Sequence, residues 1–190
     1  MGLQSQVNQY FLFDNLDSLS ALIKQEDEAA EVFLDEMSKV YRYMLRVDEE
    51  PLVTLETELK FIESYRTLVK ARHGEGLQLT WDIDTGDRGK WLPPLTLQVV
   101  VENILSLNET GIANPLIISI CSTENNAIAI RNNIQIKNME TAMDHKTGLD
   151  NLGNSFRLLV HAPVIVEEFG THRIIQLPLL KKHIKEEVSV

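Results

Sequence analysis

A phenol at Tyr10 and a carboxylate at Asp14 stand one helical turn apart, close enough on a helix for the hydroxyl to donate to the acid. As a nucleophile the phenol is poor, because its ordinary pKa of about 10 leaves about one molecule in a thousand ionised at neutral pH. The pair serves equally well as a structural tie. Imidazole, with a pKa near 6.5, suits transfer chemistry better. His73, His145, His161, His172 and His183, however, lack the i, i+3 or i, i+4 pairing of a metal site, and one cysteine adds little, so zinc is not expected. Cys121 closes an apolar run from Leu116 and reads as a buried thiol in a reducing compartment. Gly148, next to Lys146 and ahead of a helix, leaves backbone N–H groups that could receive phosphate, although a plain helix start explains it as well.

Such groups act only if secondary structure holds them. Leu12, Leu16, Leu19 and Ile23 recur at helical spacing, and Phe33, Met37, Val40 and Met44 repeat the pattern after a short charged connection. This predicts an antiparallel helical hairpin. A lone hairpin cannot bury both stripes, so pairing with a second copy in a four-helix bundle is expected. Pro51 ends the second helix and divides the chain into a helical unit, 1–50, and a second unit, 51–190. Thr54 caps a third helix, with Glu56 and Glu58 in its first turn and Leu55, Leu59, Ile62 and Val69 facing inward, ending near His73-Gly74.

Residues 77–84 alternate as a half-buried strand, and Pro93-Pro94 opens a helix whose apolar face is Leu97, Val101 and Ile104. Gln98, Glu102 and Ser106 form its polar stripe. Paired strands are expected over 115–121 and 127–131, a mobile lid over 132–146, a helix over 149–159, and a hairpin from 162–167 and 172–177. The fold class is α+β: a helical hairpin, then an α/β sandwich with helices on one face of a mixed sheet.

The run from Leu3 to Leu19 is followed in order by Tyr41-Arg42-Tyr43, Val53-Thr54-Leu55, Glu58-Leu59, Ile62 and Tyr65. Then come Pro93-Pro94-Leu95-Thr96-Leu97-Gln98, Glu102-Asn103, Thr147-Gly148-Leu149 and Leu177-Pro178-Leu179-Leu180. This series resembles the successive landmarks of LytS/YehU-type sensor histidine kinases. The resemblance implies a dimerising phosphoacceptor-like hairpin followed by a GHKL-type ATPase domain. In that family a histidine of the first helix takes the terminal phosphate of ATP and passes it to an aspartate of a response regulator.

Tyr10 stands at the acceptor position, Gln9 replaces the preceding proline, and Asp14 replaces an asparagine one turn later. Glu102-Asn103 matches the start of the N box, where the resemblance gives Asn103 to Mg²⁺ and Glu102 to organising the site; hard oxygen donors suit that ion. The Lys-His that follows in the family is Ser106-Leu107 here. Asn132 falls in the adenine-binding segment, where Ile134 and Ile136 stand for glycines and should reshape the pocket. Gly148 and Leu149 remain from the second glycine box. The implied cofactor-binding set is Glu102, Asn103, Asn132, Gly148 and Leu149, with ATP and Mg²⁺ as cofactors.

A formal net charge of -10 opposes nucleic-acid binding, which rests on clustered Lys and Arg. No stretch reaches the roughly 18 to 20 apolar residues that span a bilayer. The expectation is a cytoplasmic chain, the soluble part of an inner-membrane receptor, attached to the membrane only through a segment not in this sequence. As a histidine kinase-like transducer it would be impaired in autophosphorylation, work as a homodimer or with a related kinase, and serve a response regulator. Two alternatives stand beside it: an active ATP-dependent kinase acting on a partner in trans, and a nucleotide-free interaction module.

Overall fold

The computed structural model describes residues 9–25, 28–47, 50–137 and 146–181, with side chains described from Phe11 and, after the last gap, from Gly148. Helices α1 (Gln9–Lys24) and α2 (Ala29–Arg46) come first. The α2 stripe Phe33, Met37, Val40 and Met44 is buried, as its spacing predicts. It packs on α3 (Leu55–His73) of the same chain, so this face is covered without a second copy.

On α1 the buried side is rotated from the expected one. Phe11 and Asn15 are buried while Leu16 and Ile23 face outward, and Leu12, Leu19 and Leu22 pack at the margin. Two contacts set the rotation. Phe11 stacks on Tyr65 of α3 with centroids 5.6 Å apart, and buried Asn15 donates from Nδ2 to Phe11 O at 2.8 Å. Asp14 turns to Arg72 of α3 at 3.1 Å, and the Arg72 guanidinium lies over the Phe11 ring.

Strand β1 (Val53–Thr54) leads into α3, whose first turn is closed by Thr57 N donating to Thr54 Oγ1 at 3.2 Å. Gly74, at φ 56°, ends the helix in a conformation that suits glycine. Then come β2 (Leu77–Asp82), the single-turn α4 (Thr85–Arg88), β3 (Trp91–Leu92), which pairs with β1, and α5 (Thr96–Leu107). Strands β4 (Leu116–Thr123) and β5 (Ala127–Asn133) are followed by α6 (Lys146–Ser155), which widens into a π-helical turn over Phe156–Val160. The hairpin β6 (Ile165–Phe169) and β7 (His172–Pro178) completes the chain.

The main sheet runs β2-β4-β5-β7-β6, with β2 parallel to β4 and the other neighbours antiparallel. Alternation sends Leu116, Ile118, Ile120, Ile128, Ile130, Ile175 and Leu177 to one face, all fully buried in the same core as Val100, Val101 and Ile104 of α5. The result is the expected α+β architecture, a helical hairpin before a two-layer sandwich.

Two local expectations are corrected. Cys121 is only partly buried, because alternation places it on the face opposite Ile118 and Ile120. Residues 134–137 are pinned rather than loose: Ile134 N donates to Thr171 O, Gln135 N to Asn108 Oδ1 at 2.7 Å, and Lys137 Nζ to Leu105 O at 2.8 Å. The rest of the expected lid, 138–145, lies outside the described residues. Among the described residues no helix is long and apolar enough to cross a membrane.

His73, whose Nδ1 lies 3.0 Å from Thr110 Oγ1, is held below its ordinary value of 6.5 by burial and by the nearby cations Arg72 and Lys137, against the pull of Asp14. The folded state therefore binds this proton less readily than the unfolded chain. The His73 contribution is complete above pH 6.5 and is lost as pH falls through the depressed folded value. Denaturant melts of wild type and His73→Gln between neutral and mildly acid pH should show a shallower acid loss in the variant. Equal slopes would refute this assignment.

Candidate functional site

The site is built around α5, and α5 does not cap itself. Leu95 occupies the cap position at φ 60° with no side-chain bond. Glu58, fully buried on α3, supplies the acceptors: Leu95 N donates to Oε1 at 2.8 Å and Leu97 N to Oε2 at 3.1 Å. A carboxylate at this end also suits the helix dipole. Tyr43 of α2 donates its hydroxyl to Glu58 Oε1 at 2.7 Å, so three helices meet on one carboxyl group. Burial pushes the Glu58 carboxyl above its ordinary range, with the Tyr43 hydroxyl and the α5 amides pulling the other way. Burial and the facing carboxyl likewise push the Tyr43 hydroxyl far up.

Adjacent residues on a helix point about 100° apart, so Glu102 and Asn103 diverge. Glu102 accepts the hydroxyl of Tyr65, a fully buried residue of α3, whose own ionisation is driven far up by burial and by this carboxylate. Asn103, 5% exposed, turns toward the sheet, where Arg173 of β7 donates from Nη1 to its Oδ1 at 3.2 Å.

Asn132 on β5 is the register partner of Arg173 and is 2% exposed. Its Nδ2 donates to Asn133 O at 2.7 Å, while its Oδ1 is buried with no hydrogen-bond donor among the described residues. Gly148 and Leu149 lie on the first turn of α6, which packs on α5. A Cβ built on Gly148 would only touch Val99 Cγ1 at 3.8 Å, an ordinary contact, so the backbone forms no cradle that glycine alone permits. Tyr10 is in the first turn of α1, and its side chain lies outside the described residues.

The structure thus joins Asn103 and Asn132 through Arg173, sends Glu102 to α3, and sets Gly148 and Leu149 beside α5. An orphaned buried acceptor at Asn132 fits an exocyclic amino donor of a nucleotide base. Mg²⁺ fits poorly at Asn103, because the guanidinium that donates to its amide oxygen sets a fixed positive charge beside any metal bound there. Sequence reasoning missed Arg173. The period-two pattern that buries Ile175 and Leu177 also aims Arg173 inward, and that was its signal.

Helices on one face of a mixed sheet, with α5 carrying Glu102-Asn103 over the strands, form the two-layer α/β sandwich that the sequence led us to expect. A family model described as histidine kinase matches residues 1–77. The chain is 36% identical over 104 residues to sensor protein LytS of Staphylococcus saprophyticus, covering 55% of this chain and 18% of that protein. It is 32% identical over 172 residues to sensor protein LytS of Streptococcus agalactiae, covering 83% of this chain and 29% of that one. Among solved structures, the Acinetobacter baumannii histidine kinase AdeS is similar at a TM-score of 0.45 and 14% identity, over 90% of this chain and 96% of that chain. The chain belongs to the LytS-type histidine kinase family. It spans less than a third of the length of the two LytS proteins it matches.

Proposed function

We propose that the chain is the kinase portion of a two-component sensor histidine kinase-like transducer that does not phosphorylate itself. The observation that carries this reading is Tyr10 at the acceptor position of a chain that keeps the surrounding frame. A phenol offers about one reactive anion per thousand molecules at neutral pH. In this reading residues 1–50 dimerise the chain with a second copy or a related kinase. The exposed Leu16 and Ile23 of α1 and Val32, Leu34 and Leu45 of α2 are the apolar surface left for that pairing. Residues 51–190 form the nucleotide unit, with Asn132 toward the base and Gly148 and Leu149 beside it, and a response regulator is the downstream partner. The cytoplasm, beneath an inner membrane, is the compartment that fits.

Incubation with radiolabelled ATP tests the central point. Wild type should carry neither acid-labile nor acid-stable phosphate above about a thousandth of the labelling of a relative that keeps its histidine. Full labelling of wild type would end the reading. Tyr10→His then reports on the nucleotide unit by itself. A second reading, a kinase acting on a partner in trans, is favoured by the orphaned acceptor of Asn132, and phosphate appearing on a mixed-in acceptor-bearing relative would establish it.

A further inference from the structure

Four strands contribute one row of residues to the inner face of the sheet: Ile118, Asn132, Arg173 and Glu168 are successive register partners across β4, β5, β7 and β6. The neighbouring row, Ile120, Ile130 and Ile175, is hydrocarbon and fully buried. An arginine aimed into such a layer needs partners to offset its desolvation. Arg173 has one firm partner, the Oδ1 of Asn103. Its Nε lies 3.7 Å from Glu168 Oε1, too far for a hydrogen bond, and has no acceptor among the described residues. The Arg173 side chain is 12% exposed and that of Glu168 64%, so the ion pair is screened and weak. Burial lowers the Arg173 pKa from its ordinary value, yet a guanidinium stays charged at any pH the fold meets.

From this juxtaposition we propose that Arg173 stands in for the divalent cation: it holds Asn103, keeps Mg²⁺ from that amide, and turns its remaining N–H donors to the phosphate oxygens of a nucleotide bound without metal. The inference rests on the nucleotide-site reading and concerns how the phosphates are neutralised. A divalent ion at Asn103 would share the amide oxygen with Nη1 and would sit against a fixed positive charge. A planar guanidinium that spends Nη1 on Asn103 keeps further Nη–H donors of the geometry that matches phosphate oxygens, while its Nε is buried without a hydrogen-bond partner among the described residues. Ser106 and Leu107 offer no cation on α5, so the sheet supplies the one beside Asn103.

Calorimetric titration of ATP and ADP into the full chain, once with Mg²⁺ and once with EDTA, tests the proposal. Mn²⁺ paramagnetic resonance gives a separate readout of metal at the site. Wild type should bind nucleotide with affinities agreeing within about twofold in the two buffers and should not immobilise Mn²⁺. Arg173→Gln should lose about tenfold or more in EDTA, the value of a charge-assisted hydrogen bond, and should acquire Mn²⁺ when ATP is present. Arg173→Lys keeps the charge without the fork; it should retain metal-free binding at reduced affinity and serves if the glutamine variant fails to fold.

A tenfold loss of wild-type affinity in EDTA would overturn the proposal and leave the nucleotide site standing. Binding by Arg173→Gln with Mg²⁺ but never by wild type would also overturn it, making the arginine a plug. Silence of every protein in both buffers would overturn it together with the nucleotide-site reading.

Discussion

Glu58→Ala is expected to lower the free energy of unfolding by about 3–5 kcal/mol, the range for stripping the acceptor from a buried charged network. For a chain of this length that lowers the melting temperature by about 10 °C. The cost arises because the substitution removes one carboxyl group and orphans three donors: the hydroxyl of Tyr43 and the amides of Leu95 and Leu97. None of them gains a replacement from the cap residue, which makes no side-chain bond. Tyr43→Phe deletes one donor and leaves the two amide bonds intact, so it should cost only about 1 kcal/mol. Chemical denaturation followed by circular dichroism distinguishes the two. A Glu58→Ala protein within about 0.5 kcal/mol of wild type would refute the tertiary cap, since that is the scale of an ordinary surface change.

The second large effect is at Tyr65, fully buried between helices. Its ring stacks on Phe11 at 5.6 Å and on Phe61 at 6.1 Å, and its hydroxyl donates to Glu102. Tyr65→Ala opens a cavity and should cost about 3–5 kcal/mol. Tyr65→Phe keeps the rings packed and loses only the hydroxyl, for about 1 kcal/mol. Phe11 follows Tyr10 in α1, so Phe11, Tyr65 and Glu102 form a contact path from the acceptor-position helix to α5. A double-mutant cycle between Phe11→Ala and Tyr65→Ala should give a coupling of about 0.5–1.5 kcal/mol. Strict additivity would show that the stacking carries no energy between these helices.

Much of the fold was legible because its signals are local. The period of Phe33, Met37, Val40 and Met44, the Thr54 cap, and the alternation of Leu77 to Asp82 each need only neighbouring residues to be read. The rotation of α1 was not legible, since Phe11 is chosen by Tyr65, and a helical wheel contains no information about α3. The site followed the same division. Asn103 and Asn132 were named from a motif order, but a linear reading treats Glu102-Asn103 as one unit, whereas helix geometry sends the two side chains to different layers. Tyr65 stood among the motifs without a role and Glu58 only as a first-turn carboxylate of α3, because a cap supplied to another helix and a hydroxyl bond across helices are tertiary facts. Arg173 escaped although the alternation of β7 turns it inward, because that pattern names no partner for it until the opposite layer shows Asn103 facing it.

Helix α5 is fastened at its start by Glu58 and at its end by Lys137, whose ammonium group and backbone amide reach Leu105 O and Leu107 O. Neither clamp involves Tyr10, Asn103 or Asn132. Selection for a chain that merely folds would therefore preserve the helix and its surroundings while exerting no pressure on the groups that move phosphate. The stability of the scaffold is thereby uncoupled from whatever reaction its surface groups carry out.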